Sequence, residues 1–223
     1  MAVQARPDMF KALAMIIATA TATLTIAPAA FAADVPSATI TRTVAAVPAV
    51  TAADRVVGRA DAPVTVIEYA SFTCSHCADW TNDVMPTFKA RYIDTGKVRL
   101  VFRDLPTAPA AIAVTAAAIS RCAAPGRFYD VARSFMSGQA AAFAAGNART
   151  WYRDAVAASG RSEAEIETCL TDPATSEALQ RDVAAAQAAG VTGTPTFFVN
   201  GRRIADHSLE TLAAAIDPLL KGR

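Results

Sequence analysis

A pair of cysteines separated by two residues, Cys74 and Cys77, is the feature that most constrains the fold. An apolar run over residues 64–69 precedes the pair, and a segment with helical periodicity over residues 78–92 follows it. These patterns predict that the pair lies in a turn between a buried strand and a helix start. Backbone N–H groups and the helix dipole stabilise an anion there, and thiolate is the nucleophilic form of cysteine. The sequence therefore predicts a reactive dithiol.

Each residue of this region is predicted to have a distinct role. Cys74 is the exposed nucleophile, and Cys77, one turn into the helix, is the resolving thiol. His76 lies between them, where its charge can stabilise the Cys74 thiolate; the alternative is a surface histidine without a role. Glu68 is an acid in an apolar strand. We predict that it moves protons near Cys77, with exposure at a strand end as the alternative.

Two other interpretations of the cysteine pair are an inert structural disulfide and a zinc site. A three-residue step at a helix start holds nothing distant together, which disfavours the first. Zinc requires about four ligands, and only His76 lies near the pair in the sequence. We therefore predict neither a metal nor a cofactor. The second histidine, His207, is interpreted as a surface residue.

The N-terminus has the features of a secretory signal peptide. Arg6 and Lys11 precede an apolar run over residues 12–26, and residues 30–32 supply the small residues of an A-x-A site, with cleavage after Ala32. The run is shorter than the ~20 residues of a membrane-spanning helix, which makes an uncleaved anchor the weaker alternative. We expect the body of the protein to be exported.

Export places the four cysteines in an oxidising compartment, where thiols are expected to pair. Four cysteines allow three pairings. The spacing of Cys74 and Cys77 favours that pair, which leaves Cys122 with Cys169. We expect this second disulfide to hold helices together without a direct part in catalysis. One alternative is that Cys122 and Cys169 are two free buried thiols. Another is that this pair regulates the reduction potential of the Cys74–Cys77 pair.

Hydrophobic patterns predict a sheet that is interrupted by helices. The run at 64–69 and a second run at 98–102 are separated by a helix, which indicates a parallel βαβ unit. Pro86 falls inside that helix and is expected to kink it. Residues 107–190 contain no strand candidate and predict four or five helices, with Gly126, Gly138, Gly160 and Gly190 at their ends.

Capping residues and a hairpin complete the pattern. Ser162 with Glu165 fits a capping box, and Asp172-Pro173 fits a helix start. A strand at 196–199 is followed by the turn Asn200-Gly201 and a final helix that Ser208 can cap. This order predicts an α/β thioredoxin-like fold with an inserted all-helical domain. The predicted segments are a signal peptide (1–32), a flexible arm (33–53), the first half of the thioredoxin-like domain (54–106), the helical insertion (107–190) and the second half (191–223).

Several motifs together resemble the DsbA family of exported thiol oxidases, over about residues 54–220. They are the C-x-H-C pair with the strand before it, the run Phe-Arg-Asp-Leu-Pro at 102–106, and Gly-Thr-Pro-Thr at 193–196. The resemblance implies a cis proline at Pro195 facing the disulfide and substrate binding by the backbone of Thr194 and Pro195. It also implies a periplasmic location and reoxidation by a quinone-linked membrane oxidase. Ser75 stands where family members often have proline. In the family, the two residues between the cysteines tune the reduction potential of the cysteine pair.

The predicted function is oxidation of dithiols in unfolded, newly exported proteins by a monomeric enzyme. The 21 basic and 20 acidic residues nearly cancel, without a basic cluster, so nucleic acid is not an expected partner. One alternative is a disulfide isomerase or reductase, although isomerases of this fold usually add a dimerisation domain, for which residues 33–53 are too few. Another is a non-catalytic binding protein or holdase, which would need neither Cys74 nor Cys77.

Overall fold

The computed structural model describes residues 46, 47 and 49–221 of the 223-residue chain. The predicted signal peptide (1–32) and most of the predicted arm (33–53) lie outside these residues. Within the described part of the chain, no helix is both long enough and apolar enough to cross a bilayer.

Five strands form one sheet in the order β1-β3-β2-β4-β5. They are β1 (Arg55–Val57), β2 (Val64–Ala70), β3 (Val98–Asp104), β4 (Thr196–Val199) and β5 (Arg202–Arg203). The parallel pairing predicted for the two long apolar runs is confirmed in β2 and β3, and the other neighbours are antiparallel. The sequence patterns did not predict β1, because a three-residue strand is too short to show a period.

The segment predicted as one helix over residues 78–92 is longer and changes its hydrogen bonding. It consists of α1 (Ser75–Asp79), a π-helical stretch (Trp80–Val84), α2 (Met85–Phe88) and a second π-helical stretch (Lys89–Ile93). Pro86 is the second residue of α2, which follows the first π-helical stretch. A proline has no N–H to donate and displaces the carbonyl four residues before it, which favours such a change of pattern.

Side chains at four-residue spacing on this segment fill the core on one face of the sheet. Trp80, Phe88 and Tyr92 are buried there, and the ring of Trp80 lies 4.8 Å from that of Phe197 on β4. The same core receives α8 (Leu209–Leu220), which begins at Ser208 as predicted, with the Ser208 hydroxyl accepting from the Thr211 N–H. This packing fixes the direction of the helical segment that begins at the cysteine pair.

The insertion between β3 and β4 consists of five helices. They are α3 (Ala110–Arg121), α4 (Phe128–Ala144), α5 (Arg149–Ala158), α6 (Glu163–Thr171) and α7 (Pro173–Ala188). The predicted capping box between Ser162 and Glu165 begins α6, and Asp172 caps α7 with Pro173 in its first turn.

The prediction that Gly138 ends a helix is wrong. This glycine lies inside α4, where a Cβ atom would come 3.0 Å from the Trp151 ring on α5. Gly160 and Gly190 do lie just beyond helix ends, each with a positive φ. Gly126 also has a positive φ, but it lies in the loop two residues before α4 begins. The glycine in α4 is therefore explained by close packing between two helices, which helix-end patterns do not reveal.

The last part of the predicted arm contacts the body of the protein. Val47 and Val50 pack against a buried cluster that includes Ile67 of β2 and Val101 of β3. The carbonyl of Ala49 accepts a hydrogen bond of 3.1 Å from the Arg103 guanidinium. Apolar burial and this hydrogen bond together hold the end of the segment against the sheet.

Candidate active site

The cysteine pair lies where β2 passes into α1, the place that the sequence patterns predict. Cys74 is the residue directly before α1 and has an extended backbone, with φ −84° and ψ 119°. Its N–H donates to the Ser71 carbonyl at 3.2 Å, and its own carbonyl accepts from the Ala78 N–H at 3.1 Å. The sulfur of Cys74 is thereby held beside the free N–H groups at the start of the helix.

The two thiols differ in burial, as predicted. Cys74 is partly exposed and Cys77 is fully buried. Neither forms a disulfide in this structure. An attacking thiolate from another protein can therefore reach Cys74 and not Cys77.

The surroundings of the two sulfurs move their pKa values in opposite directions. The pKa of Cys74 falls to about 5, chiefly because the Cys77 thiol donates a hydrogen bond to its thiolate. The Thr194 side chain and the backbone N–H groups of Cys77 and His76 lower this pKa further, and together these effects outweigh partial burial. The pKa of Cys77 is raised by burial, by its hydrogen bond to Cys74, and by the negative charges of Glu68 and Cys74. Cys74 is consequently the thiolate of the pair at neutral pH.

His76 contributes through its backbone and presents its ring to solvent. The side chain is 73% exposed, and Nδ1 lies 3.8 Å from the Asp79 carboxylate. Its N–H is one of the groups that lower the pKa of Cys74. The ring of His207 lies 6.5 Å from that of His76. The two histidines of the chain therefore lie close together near the cysteine pair, although 131 positions separate them.

Glu68 is buried in the centre of the sheet. It is 2% exposed and lies opposite Phe102 on β3 and Phe197 on β4. The alternative of an exposed strand end is therefore wrong. Burial, and then the charge of Cys74, raises the pKa of Glu68 to about 8. Its carboxyl group is thus largely protonated at neutral pH, and in its ionised form its charge raises the pKa of Cys77.

The loop before β4 lies against Cys74. The Thr194–Pro195 peptide bond is cis, as the resemblance implies, and a second cis bond precedes Pro109. The Cys74 sulfur lies 3.3 Å from the Thr194 carbonyl oxygen, to which it donates a hydrogen bond when it is protonated. Cys74, which follows β2, and Thr194, which precedes β4, are 120 positions apart in the sequence and form one site at this end of the two strands.

Hydroxyl groups around the turn form a cluster that the sequence patterns did not identify. Ser71 Oγ lies 3.0 Å from Thr73 Oγ1, which in turn lies 3.1 Å from Thr107 Oγ1. Ser71 Oγ also accepts from the Thr107 N–H at 3.1 Å. These bonds join the turn to the chain that leads into the helical insertion. Serines and threonines carry no distinctive spacing, so only the folded arrangement identifies the cluster.

The other two cysteines lie in the helical insertion. Cys122 follows α3, and its sulfur is bonded to that of Cys169 in α6, with 5.8 Å between the Cα atoms. Among the described residues, no group of three or more His, Cys, Asp and Glu side chains is arranged to hold a metal ion.

Comparison with known proteins places this architecture in a family. A family model described as thioredoxin matches residues 50–218, most of the chain. The chain belongs to the thioredoxin family. A curated relative from Rickettsia conorii, provisionally named a protein-disulfide oxidoreductase, is 31% identical over 170 residues, covering 75% of this chain and 61% of the relative. The chain thus spans about three fifths of the length of such relatives.

Solved structures confirm the thioredoxin-like fold with a helical insertion and the resemblance to DsbA proteins. The α-DsbA1 protein of Wolbachia pipientis is 26% identical, with a TM-score of 0.69 over 77% of this chain and 93% of that one. Oxidised BdbD of Bacillus subtilis shares the fold, with 21% identity and a TM-score of 0.66 over 76% of this chain and 94% of that one.

Proposed function

We propose that this thioredoxin-family protein is a thiol:disulfide oxidoreductase that donates a Cys74–Cys77 disulfide to other proteins. The observation that carries the proposal is the contrast between the two thiols. Cys74 is accessible, with a pKa of about 5, whereas Cys77 is buried and its pKa is raised. A stabilised Cys74 thiolate favours the dithiol form, which makes the corresponding disulfide a strong oxidant.

The reaction transfers two electrons from a substrate dithiol to the Cys74–Cys77 disulfide. A substrate thiolate attacks the sulfur of Cys74, the bond to Cys77 breaks, and a mixed disulfide forms. Cys77 departs as a thiolate and takes up a proton, which we assign to the protonated carboxyl of Glu68. A second substrate thiolate then attacks the substrate sulfur of the mixed disulfide, and Cys74 leaves as a thiolate. The substrate gains a disulfide and loses two protons.

Two residues beside Cys74 are proposed to bind the substrate chain. The Thr194 carbonyl already lies 3.3 Å from the Cys74 sulfur. An extended substrate segment that presents a cysteine to Cys74 must therefore pass along Thr194 and Pro195, where backbone groups can pair with it. We assign His76 to the support of the Cys74 thiolate, through its N–H and through the charge of its ring when protonated.

The physiological setting is proposed on the sequence and on the resemblance to DsbA proteins. A signal-like N-terminal segment favours export to the periplasm, where unfolded proteins with free thiols would be the substrates. We propose that the protein acts as a monomer and that a quinone-linked membrane oxidase restores its disulfide. Cys122 and Cys169 are proposed to be a structural bond outside the reaction.

The decisive experiment measures the reduction potential of the Cys74–Cys77 pair in glutathione buffers, together with the oxidation of a reduced dithiol peptide. We expect a potential more oxidising than about −200 mV and rapid peptide oxidation. Cys74→Ser should abolish oxidation, whereas Cys77→Ser should accumulate the mixed disulfide. A potential near the ~−270 mV of thioredoxin would instead support a reductase. Holdase activity that survives the double Cys74→Ser, Cys77→Ser variant would support a binding protein.

A further inference from the structure

A glutamine from the helical insertion holds the turn that carries Cys74. Gln139 lies in α4 and is 4% exposed. Its Nε2 donates to the Phe72 carbonyl at 2.7 Å and to the Cys74 carbonyl at 3.1 Å. One amide group therefore contacts the backbone on both sides of Thr73. A single glutamine 65 positions after Cys74 has no motif around it, so the sequence patterns did not single it out.

The Cys74 carbonyl that Gln139 contacts is also the first acceptor of α1. It accepts from the Ala78 N–H at 3.1 Å, in addition to the glutamine. With two donors on this oxygen, the peptide plane between Cys74 and Ser75 has little freedom to rotate. That plane sets the direction of the Cys74 side chain relative to the N–H groups of His76 and Cys77.

We infer that Gln139 is a positioning residue, which holds the backbone of Cys74 so that its sulfur faces the start of α1. The inference rests on the proposed function, because it concerns the reactivity of the same sulfur. Gln139 itself does not contact the reacting atoms. The helical insertion thereby influences the reactivity of Cys74 through the backbone contacts of α4.

A second side-chain amide at the same interface provides a matched control. Nδ2 of Asn82, in the π-helical stretch after α1, donates to the Met136 carbonyl of α4 at 3.2 Å. It joins α4 to the helical segment that begins at the cysteine pair, whereas Gln139 joins α4 to the turn before that segment, and the hydrogen bond of Asn82 does not involve the turn at Cys74. A variant that loses this bond shows how much stability the weakened interface costs while the hydrogen bond from Gln139 to the Cys74 carbonyl remains.

The experiment compares Gln139→Met and Gln139→Asn with Asn82→Leu in the reduced full-length protein. Methionine keeps the length of glutamine and loses the donors, whereas asparagine keeps the amide on a side chain one methylene shorter. All three are expected to lower the melting temperature by a few degrees. Thiolate absorbance at 240 nm should show the pKa of Cys74 raised by about 1 in Gln139→Met, which is a tenfold fall in the acid dissociation constant, and by less in Gln139→Asn. Asn82→Leu should leave it unchanged.

Two outcomes would overturn the inference. An unchanged Cys74 pKa in a folded Gln139 variant would make the glutamine merely structural, and an equal shift in Asn82→Leu would assign the effect to general loosening. Should Gln139→Met not fold, the same comparison applies to Gln139→Asn. The titration needs no substrate and no oxidase activity. Failure of the proposed function would appear in the peptide oxidation assay and is thus distinguishable.

Discussion

At the scale of single residues, folding lowers the pKa of Cys74 and raises the pKa of Glu68. Cys74 has a folded pKa of about 5 against 9.0 in a free thiol, so it stabilises the reduced protein fully above pH 9, and this stability is lost as the pH falls to 5. Glu68 has a folded pKa of about 8 against 4.5. It contributes stability below pH 4.5 that is lost as the pH rises to 8. Between pH 5 and pH 8 the two contributions offset each other.

Glu68→Gln should therefore reveal how the ionisation of Cys74 alone makes the stability depend on pH. We expect the free energy of unfolding of the reduced variant to rise by up to about 1.4 kcal/mol per pH unit between pH 5 and pH 8, whereas the parent protein changes little. Urea unfolding under reducing conditions at a series of pH values measures this slope. Glu167→Gln, an exposed position on α6, is the control and should match the parent. Equal slopes in the two variants would contradict the assigned burial of Glu68.

At the scale of elements, the disulfide joins the end of α3 to α6 across a sequence separation of 47 residues. The enclosed chain contains α4 and α5, and α4 is the helix that contacts the turn at Cys74. Neither cysteine belongs to that turn. A closed loop of this length restricts the unfolded chain, and the chain-entropy model gives ~4 kcal/mol of stabilisation as an upper figure.

Replacing the second pair by Cys122→Ala and Cys169→Ala should lower the free energy of unfolding by up to ~4 kcal/mol and leave the rate of peptide oxidation unchanged. Thermal unfolding and the oxidation assay measure the two effects. In a Cys74→Ser, Cys77→Ser background, reductant should lower the melting temperature only while the second pair is present. A changed oxidation rate with an unchanged melting temperature would instead indicate the regulatory alternative.

At the scale of the whole molecule, a buried group of charges joins the sheet to the helical insertion. Arg55 of β1 and Arg121 of α3 contact the Asp104 carboxylate of β3 at 2.7 and 3.0 Å. Both arginines also contact Asp182 of α7. The Asp182 carboxylate accepts in addition from the Asp104 N–H at 3.2 Å. Two helices of the insertion are thereby tied to neighbouring strands through ion pairs in a largely water-free region.

Asp104→Asn should be strongly destabilising, because it leaves two largely buried guanidinium groups with only the partly exposed carboxylate of Asp182. The expected loss is about 3 kcal/mol in the free energy of unfolding, because breaking a buried ion pair leaves a charge in the interior without a partner. Denaturant unfolding at neutral pH measures it. Asp61→Asn removes the exposed partner of Arg59 and should change stability little. A comparable loss in both variants would contradict a special role for the buried group.

Local patterns in the sequence were sufficient for much of this architecture. The apolar runs of β2, β3 and β4 reveal strands because burial on both faces of a sheet demands continuous apolar residues. The Ser162–Glu165 capping box and the turn before Cys74 depend on neighbours within four residues. The cysteine spacing alone indicates a dithiol at a helix start. Each of these features is decided over a few bonds of chain, so the order of residues specifies it.

Contacts between distant segments decided the rest. Whether Glu68 is buried depends on the strands on either side of β2, and the pKa values around Cys74 depend on that burial and on Thr194. Gly138 could be understood only from the packing of Trp151, and Gln139 only from its contact with the turn. Burial and hydrogen bonding between remote residues are set by how the chain packs as a whole, and no short stretch of sequence records them.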